Sequence, residues 1–248
     1  MTDSHAHLDA CEEPPAGVLE RARAAGVIRV VSIGTGLDSC RATLALADEH
    51  EGVYAALGIH PHRAGGPEAA RVRELRELLA HPRAVAVGET GLDNARRFAA
   101  PAEQRRLFDA HLELASELRF PVVIHSREAE EETAATLASF AGTVILHCFS
   151  SPGLLSTALG RGYYVSFAGN ATYPKAHDLR AAAIAVPSHR ILVETDSPYL
   201  APQPVRGRPN EPAHVVHTIA ALATARGVDP GTLAEQTHAN AAAAFGLR

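Results

Sequence analysis

The chain has 248 residues, of which 46% are apolar and 5% aromatic, and its formal net charge is −5. This length suits one barrel-type domain of about 250 residues better than two small domains. The negative charge argues against nucleic-acid binding through the overall surface field, so any such contact needs a local basic patch or a metal ion. Three scattered cysteines, an odd number, argue against a disulfide framework.

Membrane insertion and export are not expected. No segment approaches the roughly 18 consecutive apolar residues of a membrane span. The opening residues lack the basic start and long apolar middle of a secretory signal, and cleavage of such a signal would remove His5 and His7. We therefore expect a cytoplasmic protein. Because nothing resembles a large exposed apolar seam, we also expect a monomer.

Short apolar runs alternate with amphipathic stretches along the whole chain. We predict eight strands: Thr2–Leu8, Ile28–Gly34, Val53–His60, Ala84–Glu89, Val122–His125, Thr143–His147, Tyr163–Phe167 and Arg190–Thr195. Helical patterns fill the gaps, for example over Gly17–Ala25, Glu68–Ala80, Ala102–Leu118 and Lys175–Ala185. After Asn210 we expect the eighth barrel helix and then a closing helix, Gly231–Phe245.

Most of the strand runs are continuously apolar, which is typical of parallel strands buried on both faces. Eight β-α repeats in about 250 residues predict an α/β fold, a (β/α)₈ TIM barrel, as a single domain over residues 1–248. An open doubly wound sheet is the alternative, but no Gly-rich dinucleotide loop follows the first strand.

His5 and His7 stand one residue apart in the first predicted strand, where alternation places them on the same side. Two imidazoles there can bind one divalent cation. Four more ligand-type residues stand at or just past the carboxyl ends of later predicted strands: Glu89, His125, His147 and Asp196. Since these strand ends meet at one rim of a barrel, we expect all six side chains to converge there.

Each of the six residues has an ordinary interpretation when taken alone, as a hydrogen-bonded histidine or a helix-capping carboxylate. Their shared position disfavours coincidence, and burial of so many titratable groups without a metal would be costly. Six protein ligands suit two divalent ions with a bridging carboxylate, and nitrogen and oxygen donors fit Zn, Mn, Ni, Co or Mg. We expect Glu89 to bridge the two ions, with the other ligands divided between them: His5, His7 and Asp196 on one, His125 and His147 on the other.

A series of short motifs lies between residues 3 and 212. They are His5-Ala6-His7-Leu8-Asp9, Gly58-Ile59-His60-Pro61-His62, Gly88-Glu89-Thr90-Gly91-Leu92-Asp93, Ile124-His125-Ser126-Arg127, His147-Cys148-Phe149-Ser150, Gly169-Asn170, Glu194-Thr195-Asp196-Ser197-Pro198-Tyr199-Leu200, and Arg206-Gly207 with Asn210-Glu211-Pro212. In this order they resemble the TatD-type metal-dependent deoxyribonucleases, which belong to the amidohydrolase-like barrels. The series as a whole is highly specific, whereas His-x-His alone is not.

The resemblance implies a TIM-barrel hydrolase that cleaves DNA phosphodiesters, often from the 3′ end of single strands, with the six residues above as metal ligands. It also implies that His60 is a further active-site histidine, with His62 as a weaker candidate. After Asp93 the family commonly carries aromatic residues that could stack a base, whereas this chain has Asn94-Ala95-Arg96-Arg97.

We predict a water activated by two metals that attacks phosphorus, with Asp196 as the base that accepts its proton. His60 is expected to donate a hydrogen bond to the phosphate or to protonate the leaving oxygen. The predicted substrate-binding residues are Arg127, Asn170 and Arg206, of which the two arginines match phosphate oxygens in geometry.

Two other functions compete with DNA hydrolysis. A metal-dependent amidohydrolase or esterase, acting on a small molecule or an aminoacyl-tRNA, could use the same rim. In many such enzymes a modified lysine bridges the metals after the fourth strand, whereas this chain has Glu89 there and Lys175 as its only lysine. A non-enzymatic scaffold is disfavoured because all six ligands are intact. We therefore predict DNA as the substrate.

Overall fold

Eight strands follow one another around a single sheet in chain order, each parallel to the next. The computed structural model describes residues 1–96 and 98–247, so Arg97, the last residue of the segment after Asp93, lies outside the described residues, as does Arg248. The strands are β1 (Thr2–Ala6), β2 (Arg29–Gly34), β3 (Val53–Leu57), β4 (Ala84–Asp93), β5 (Val122–Arg127), β6 (Val144–Leu146), β7 (Tyr164–Phe167) and β8 (Ile191–Val193).

The sheet closes into a barrel where the first and last strands meet. Ala6 and Ser197 form a parallel bridge. The His7 N–H donates to the Ser197 carbonyl at 2.7 Å, and the Asp196 N–H donates to the His5 carbonyl at 2.9 Å. These bonds lie at the carboxyl ends of β1 and β8, so the seam is joined at the rim. The predicted TIM barrel is confirmed.

Nine α-helices lie between and after the strands within the described ranges: α1 (Pro15–Ala24), α2 (Leu37–Glu49), α3 (Leu75–Leu79), α4 (Pro101–Leu118), α5 (Glu130–Leu137), α6 (Leu155–Arg161), α7 (His177–Ala185), α8 (Val215–Arg226) and α9 (Pro230–Phe245). The expected eighth barrel helix and closing helix correspond to α8 and α9. None of these helices is long and apolar enough to cross a membrane.

The helix predicted over Glu68–Ala80 is wrong for most of its length. A 3₁₀ helix occupies Pro67–Glu74, and α-helical geometry begins only at Leu75, where α3 starts. In the 3₁₀ segment Val72 is the buried residue, so there is no apolar stripe to hold successive α-helical turns against the barrel.

Strands β4 and β5 extend further than predicted, to Asp93 and Arg127 rather than Glu89 and His125. Gly91 permits this extension. It pairs with His125 and has φ +140°, and a Cβ at Gly91 would lie 2.0 Å from the His125 carbonyl oxygen. Because only glycine tolerates such an approach, it holds the Glu89 and His125 segments together.

Alternate strand residues contribute to two buried clusters. On β2, Val30 belongs to the cluster shared with the surrounding helices, whereas Val31 belongs to the inner cluster, which includes Phe245 of α9. The side-chain amide of Asn240, also on α9, donates to the Ile191 carbonyl at 2.8 Å, at the start of β8. Helix α9 therefore covers the amino end of the barrel, opposite the rim.

A buried histidine joins α4 to the segment after β3. The His111 Nε2 accepts the Ile59 N–H at 3.1 Å, and its Nδ1 donates to the Leu107 carbonyl at 2.8 Å. Burial lowers the pKa of His111 to about 4. Since an unfolded histidine titrates near pH 6.5, the unfolded chain binds a proton between pH 6.5 and 4 that the native state does not.

We expect this difference to cost stability as the pH falls. His111 alone should lower the free energy of unfolding by about 2 kcal/mol between pH 7 and pH 5. Urea unfolding at both pH values should show this extra loss in the wild type but not in His111→Gln. The exposed His189→Gln is the matched control. Equal pH dependence in the wild type and His111→Gln would contradict the expectation.

Candidate active site

The carboxylate of Glu89 lies at the centre of the rim, among histidine nitrogens. Its Oε1 is 2.8 Å from His125 Nδ1 and 2.8 Å from His147 Nε2. Its Oε2 is 3.4 Å from His5 Nε2 and 3.8 Å from His7 Nε2. The Glu89 side chain is only 3% exposed. A single buried carboxylate therefore faces ligand-type nitrogens from β1, β5 and the segment after β6.

Charge at the centre of the site is set by these contacts. Burial would raise the pKa of Glu89, but the charge of His147 and the hydrogen bonds from His125 and His147 outweigh it and hold that pKa well below its ordinary value. Burial would likewise lower the pKa of His147, but Glu89 and Glu194 raise it well above its ordinary value. The centre therefore holds an anionic carboxylate.

Asp196 lies with the two histidines of the first strand. Its Oδ1 is 3.4 Å from His7 Nε2 and 3.6 Å from His5 Nε2, and the two Nε2 atoms are 3.3 Å apart. The histidines meet although β1 ends at Ala6 and His7 lies just beyond it. Burial would raise the pKa of Asp196, but His7 and His5 lower it.

The rim has the composition of a divalent-metal site. Its donor atoms fall into three groups within which all atoms lie within 4.8 Å of one another: His5 with His7 and Asp196, His5 with Glu89 and His147, and His60 with His62 and His125. All six predicted ligands belong to these groups. Buried imidazole and carboxylate donors in this combination are those that divalent transition metals take. The donor set therefore fits a divalent cation.

Asp93 fixes two of the rim histidines. Its Oδ2 accepts from His62 Nε2 at 2.8 Å and from His125 Nε2 at 3.1 Å. The carboxylate is fully buried, and its backbone N–H donates to Gln104 on α4. With its Nε2 donating to Asp93, His125 presents Nδ1 toward Glu89 and His147. This role of Asp93 was not predicted, although its place in the Gly88–Asp93 motif was a signal.

Glu194 performs the corresponding role for His147. Its Oε1 accepts the Cys148 N–H at 2.7 Å and lies 3.3 Å from His147 Nδ1, while its Oε2 has no partner among the described residues. The side chain is fully buried. A proton on Nδ1 leaves His147 Nε2 free to bind a metal. This role of Glu194 was not predicted, although a glutamate at the end of an apolar strand was a signal.

We expect Glu194→Gln to weaken metal binding because a neutral amide fixes the His147 tautomer less strongly. The apparent affinity for Mn²⁺ should fall roughly 10- to 100-fold. Titration of metal-stripped protein by calorimetry would measure it, with the exposed Glu235→Gln of α9 as control. An unchanged affinity in both Glu194→Gln and Glu194→Ala would show that Glu194 does not support the site.

His60 faces the site through one nitrogen. Its Nδ1 accepts the His62 backbone N–H at 3.2 Å, which places the ring proton on Nε2, 3.2 Å from Glu89 Oε1. Burial lowers the pKa of His60 to about 4. In this arrangement, His60 is a neutral hydrogen-bond donor at the edge of the histidine cluster.

The predicted substrate-binding residues divide into two groups. Arg127 and Asn170 line a rim cavity of about 670 Å³, which is also lined by five of the six candidate metal ligands, all but His5. The buried Oδ1 of Asn170 has no partner among the described residues. Arg206 is not among the residues lining this cavity, and its guanidinium lies 4.3 Å from the ring centre of Tyr173. Its role in substrate binding stays a prediction.

Comparison with known proteins relates the whole chain to one group. A sequence model described as TatD related DNase matches residues 2–246. A protein named "Uncharacterized metal-dependent hydrolase TatD" from Mycobacterium tuberculosis is 40% identical, with 100% of this chain and 98% of the relative covered. A protein named 3′-5′ ssDNA/RNA exonuclease TatD from Klebsiella pneumoniae is 36% identical, with 93% and 91% covered. The crystal structure of YjjV, a TatD homologue from Escherichia coli K12, has a TM-score of 0.94 at 29% identity, with 100% and 98% covered.

Proposed function

We propose a nuclease activity for this chain because it belongs to the TatD related DNase family and carries six candidate metal ligands that meet at one end of its barrel. The reaction is the divalent-metal-dependent hydrolysis of DNA phosphodiester bonds, from the 3′ end of single strands. The observation that carries this proposal is the position of Glu89. Its anionic carboxylate lies near His5 on one side and near His125 and His147 on the other.

Two divalent ions are proposed for the six ligands. His5, His7 and Asp196 would hold one ion, and His125 and His147 would hold the other. Glu89 would bridge the two ions. When bound, such ions lower the pKa of water toward neutrality and neutralise charge on the phosphate. The donors are compatible with Mg, Mn, Zn or similar ions.

The protein's own groups have distinct tasks in this proposal. Asp196 accepts the proton of the attacking water, since its carboxylate lies at the rim beside His7. His60 donates a hydrogen bond from Nε2 to the phosphate or the leaving oxygen. Arg127 and Asn170 position the phosphodiester from the cavity wall, and Arg206 is proposed to contact the strand further out.

An amidohydrolase or esterase reaction is not favoured. The relative from Klebsiella pneumoniae, 36% identical, is named as an exonuclease, and the carboxylate of Glu89 stands where many amidohydrolases carry a modified lysine. We propose that the protein acts as a cytoplasmic monomer. The Cys11, Cys40 and Cys148 side chains are free thiols, which agrees with a reducing compartment.

Cleavage of an end-labelled single strand by metal-stripped protein, with and without added Mg²⁺, Mn²⁺ or Zn²⁺, tests the proposal. We expect no shortening without metal and stepwise shortening from the 3′ end with it. Labels at the 5′ and 3′ ends in separate reactions distinguish the polarity. Metal-loaded protein that leaves DNA intact but hydrolyses carboxylic esters would overturn the proposal in favour of the esterase alternative.

A further inference from the structure

Phe98 is an exposed aromatic residue at the edge of the rim. Its side chain is 68% exposed, and a single exposed apolar residue is not by itself unusual. Its position is more informative, because its ring and the His62 ring make a T-shaped contact, with 4.8 Å between ring centres and 62° between the planes. An exposed aromatic ring thus lies beside a histidine of the rim.

A second cavity begins at Phe98. It has a volume of about 740 Å³ and is lined by Phe98, Pro67 and Pro101 among others. His62 and Arg63 line both this cavity and the rim cavity. A strand whose phosphate lies at the rim can therefore place an adjacent nucleotide in the second cavity.

Hydrogen bonds hold two residues next to Phe98 in place. His62, which contacts its ring, is held by Asp93 at 2.8 Å. The following residue, Ala99, is buried and accepts from the side-chain amide of Gln104 on α4 at 3.1 Å. An aromatic ring fixed at both its contact and its backbone can stack a base at low entropic cost.

The guanidinium of Arg63 lies at the boundary between the two cavities. Its side chain is 53% exposed and pairs with Glu68 at 3.0 Å. A half-exposed guanidinium can contact a phosphate while a neighbouring base reaches the Phe98 ring. The second cavity thus combines an aromatic ring with the Arg63 guanidinium, and the carboxylates of Glu68 and Glu103 also line it.

We propose that Phe98 stacks against a nucleobase of the single-stranded substrate, next to the phosphodiester held at the rim, and so forms a base-binding subsite. This inference rests on the proposed nuclease function. Since every base has a π face, the subsite binds single strands without strong sequence preference. It requires a base at one particular distance from the scissile phosphate.

The test couples a protein variant to a substrate variant. Phe98→Ala, Phe98→Tyr and the wild type are compared on one oligonucleotide, and on copies with a tetrahydrofuran abasic residue at each of the last four positions in turn. Ile184→Ala, on α7, is the control, because Ile184 is also an exposed apolar residue, 57% exposed. Melting temperatures check that each variant folds.

We expect Phe98→Ala to raise KM roughly tenfold on the intact strand with little change in kcat, and Phe98→Tyr to restore KM. With the abasic residue at one of the four positions, the KM of the wild type should rise by the same factor. On that substrate Phe98→Ala should have the same KM as the wild type. The subsite proposal would be overturned if Phe98→Ala had a KM within twofold of the wild-type value. It would also be overturned if the wild type lost affinity equally at all four abasic positions. If the wild type and Ile184→Ala fail to cleave DNA, the nuclease proposal itself fails, and the subsite with it.

Discussion

Glu89→Gln is expected to lower kcat for single-stranded DNA at least about 1,000-fold, since stabilisation by a bound metal is worth several kcal/mol. Glutamine has nearly the same shape but no charge, and the Glu89 carboxylate lies 2.8 Å from two histidine nitrogens that belong to the proposed second ion. The loss should appear in both turnover and metal content. Steady-state cleavage together with elemental analysis of the purified protein would measure the two effects.

The matched control for this change is Glu131→Gln, because Glu131 is exposed on α5 and the chemical substitution is identical. We expect the control to keep the activity and the metal content of the wild type. If Glu89→Gln retained both ions and more than a tenth of the wild-type kcat, Glu89 would not be the bridging ligand.

Asp196→Asn is expected to reduce kcat by roughly 100- to 10,000-fold, the usual contribution of a positioned general base. Asparagine is the informative substitution because Asp196 has φ +57°, and asparagine tolerates the left-handed region better than most residues. The backbone that carries the side chain should therefore keep its course. Rates measured with saturating Mn²⁺ would separate the loss of the base from weaker metal binding.

Asp178→Asn, on the exposed side of α7, provides the same substitution away from the rim and should leave kcat unchanged. Loss of activity in Asp196→Asn that is fully recovered at high Mn²⁺ would mean that Asp196 acts only as a ligand. The water's proton would then have to be accepted by another group.

The barrel and the convergence of its six candidate metal ligands could be predicted because both depend on repetition. Eight apolar runs with helical spacers specify parallel strands, and parallel strands in a barrel must end at one rim. The position of each ligand at a strand end then determines its location. His7 shows that the argument tolerates errors in the strand boundaries, since it reaches the cluster from just beyond β1.

The supporting residues could not be predicted because their roles depend on contacts between distant segments. Asp93 reaches His62 only because β4 continues past Glu89, and that extension requires the close approach at Gly91. Glu194 contacts His147 across 47 positions of sequence. Phe98 could not be predicted because it lies five residues beyond Asp93, and its contact with the His62 ring depends on the fold.

The barrel seam and the candidate metal centre share the same few residues. The hydrogen bonds that join β1 to β8 run through the backbones of His5, His7 and Asp196, whose side chains form one group of metal donors. A cation bound there would link the first and last strands. By mass action, a cation at a free concentration 1,000 times its Kd adds about 4 kcal/mol to the free energy of unfolding. Metal supply would then govern how long the folded protein persists, as well as how fast it works.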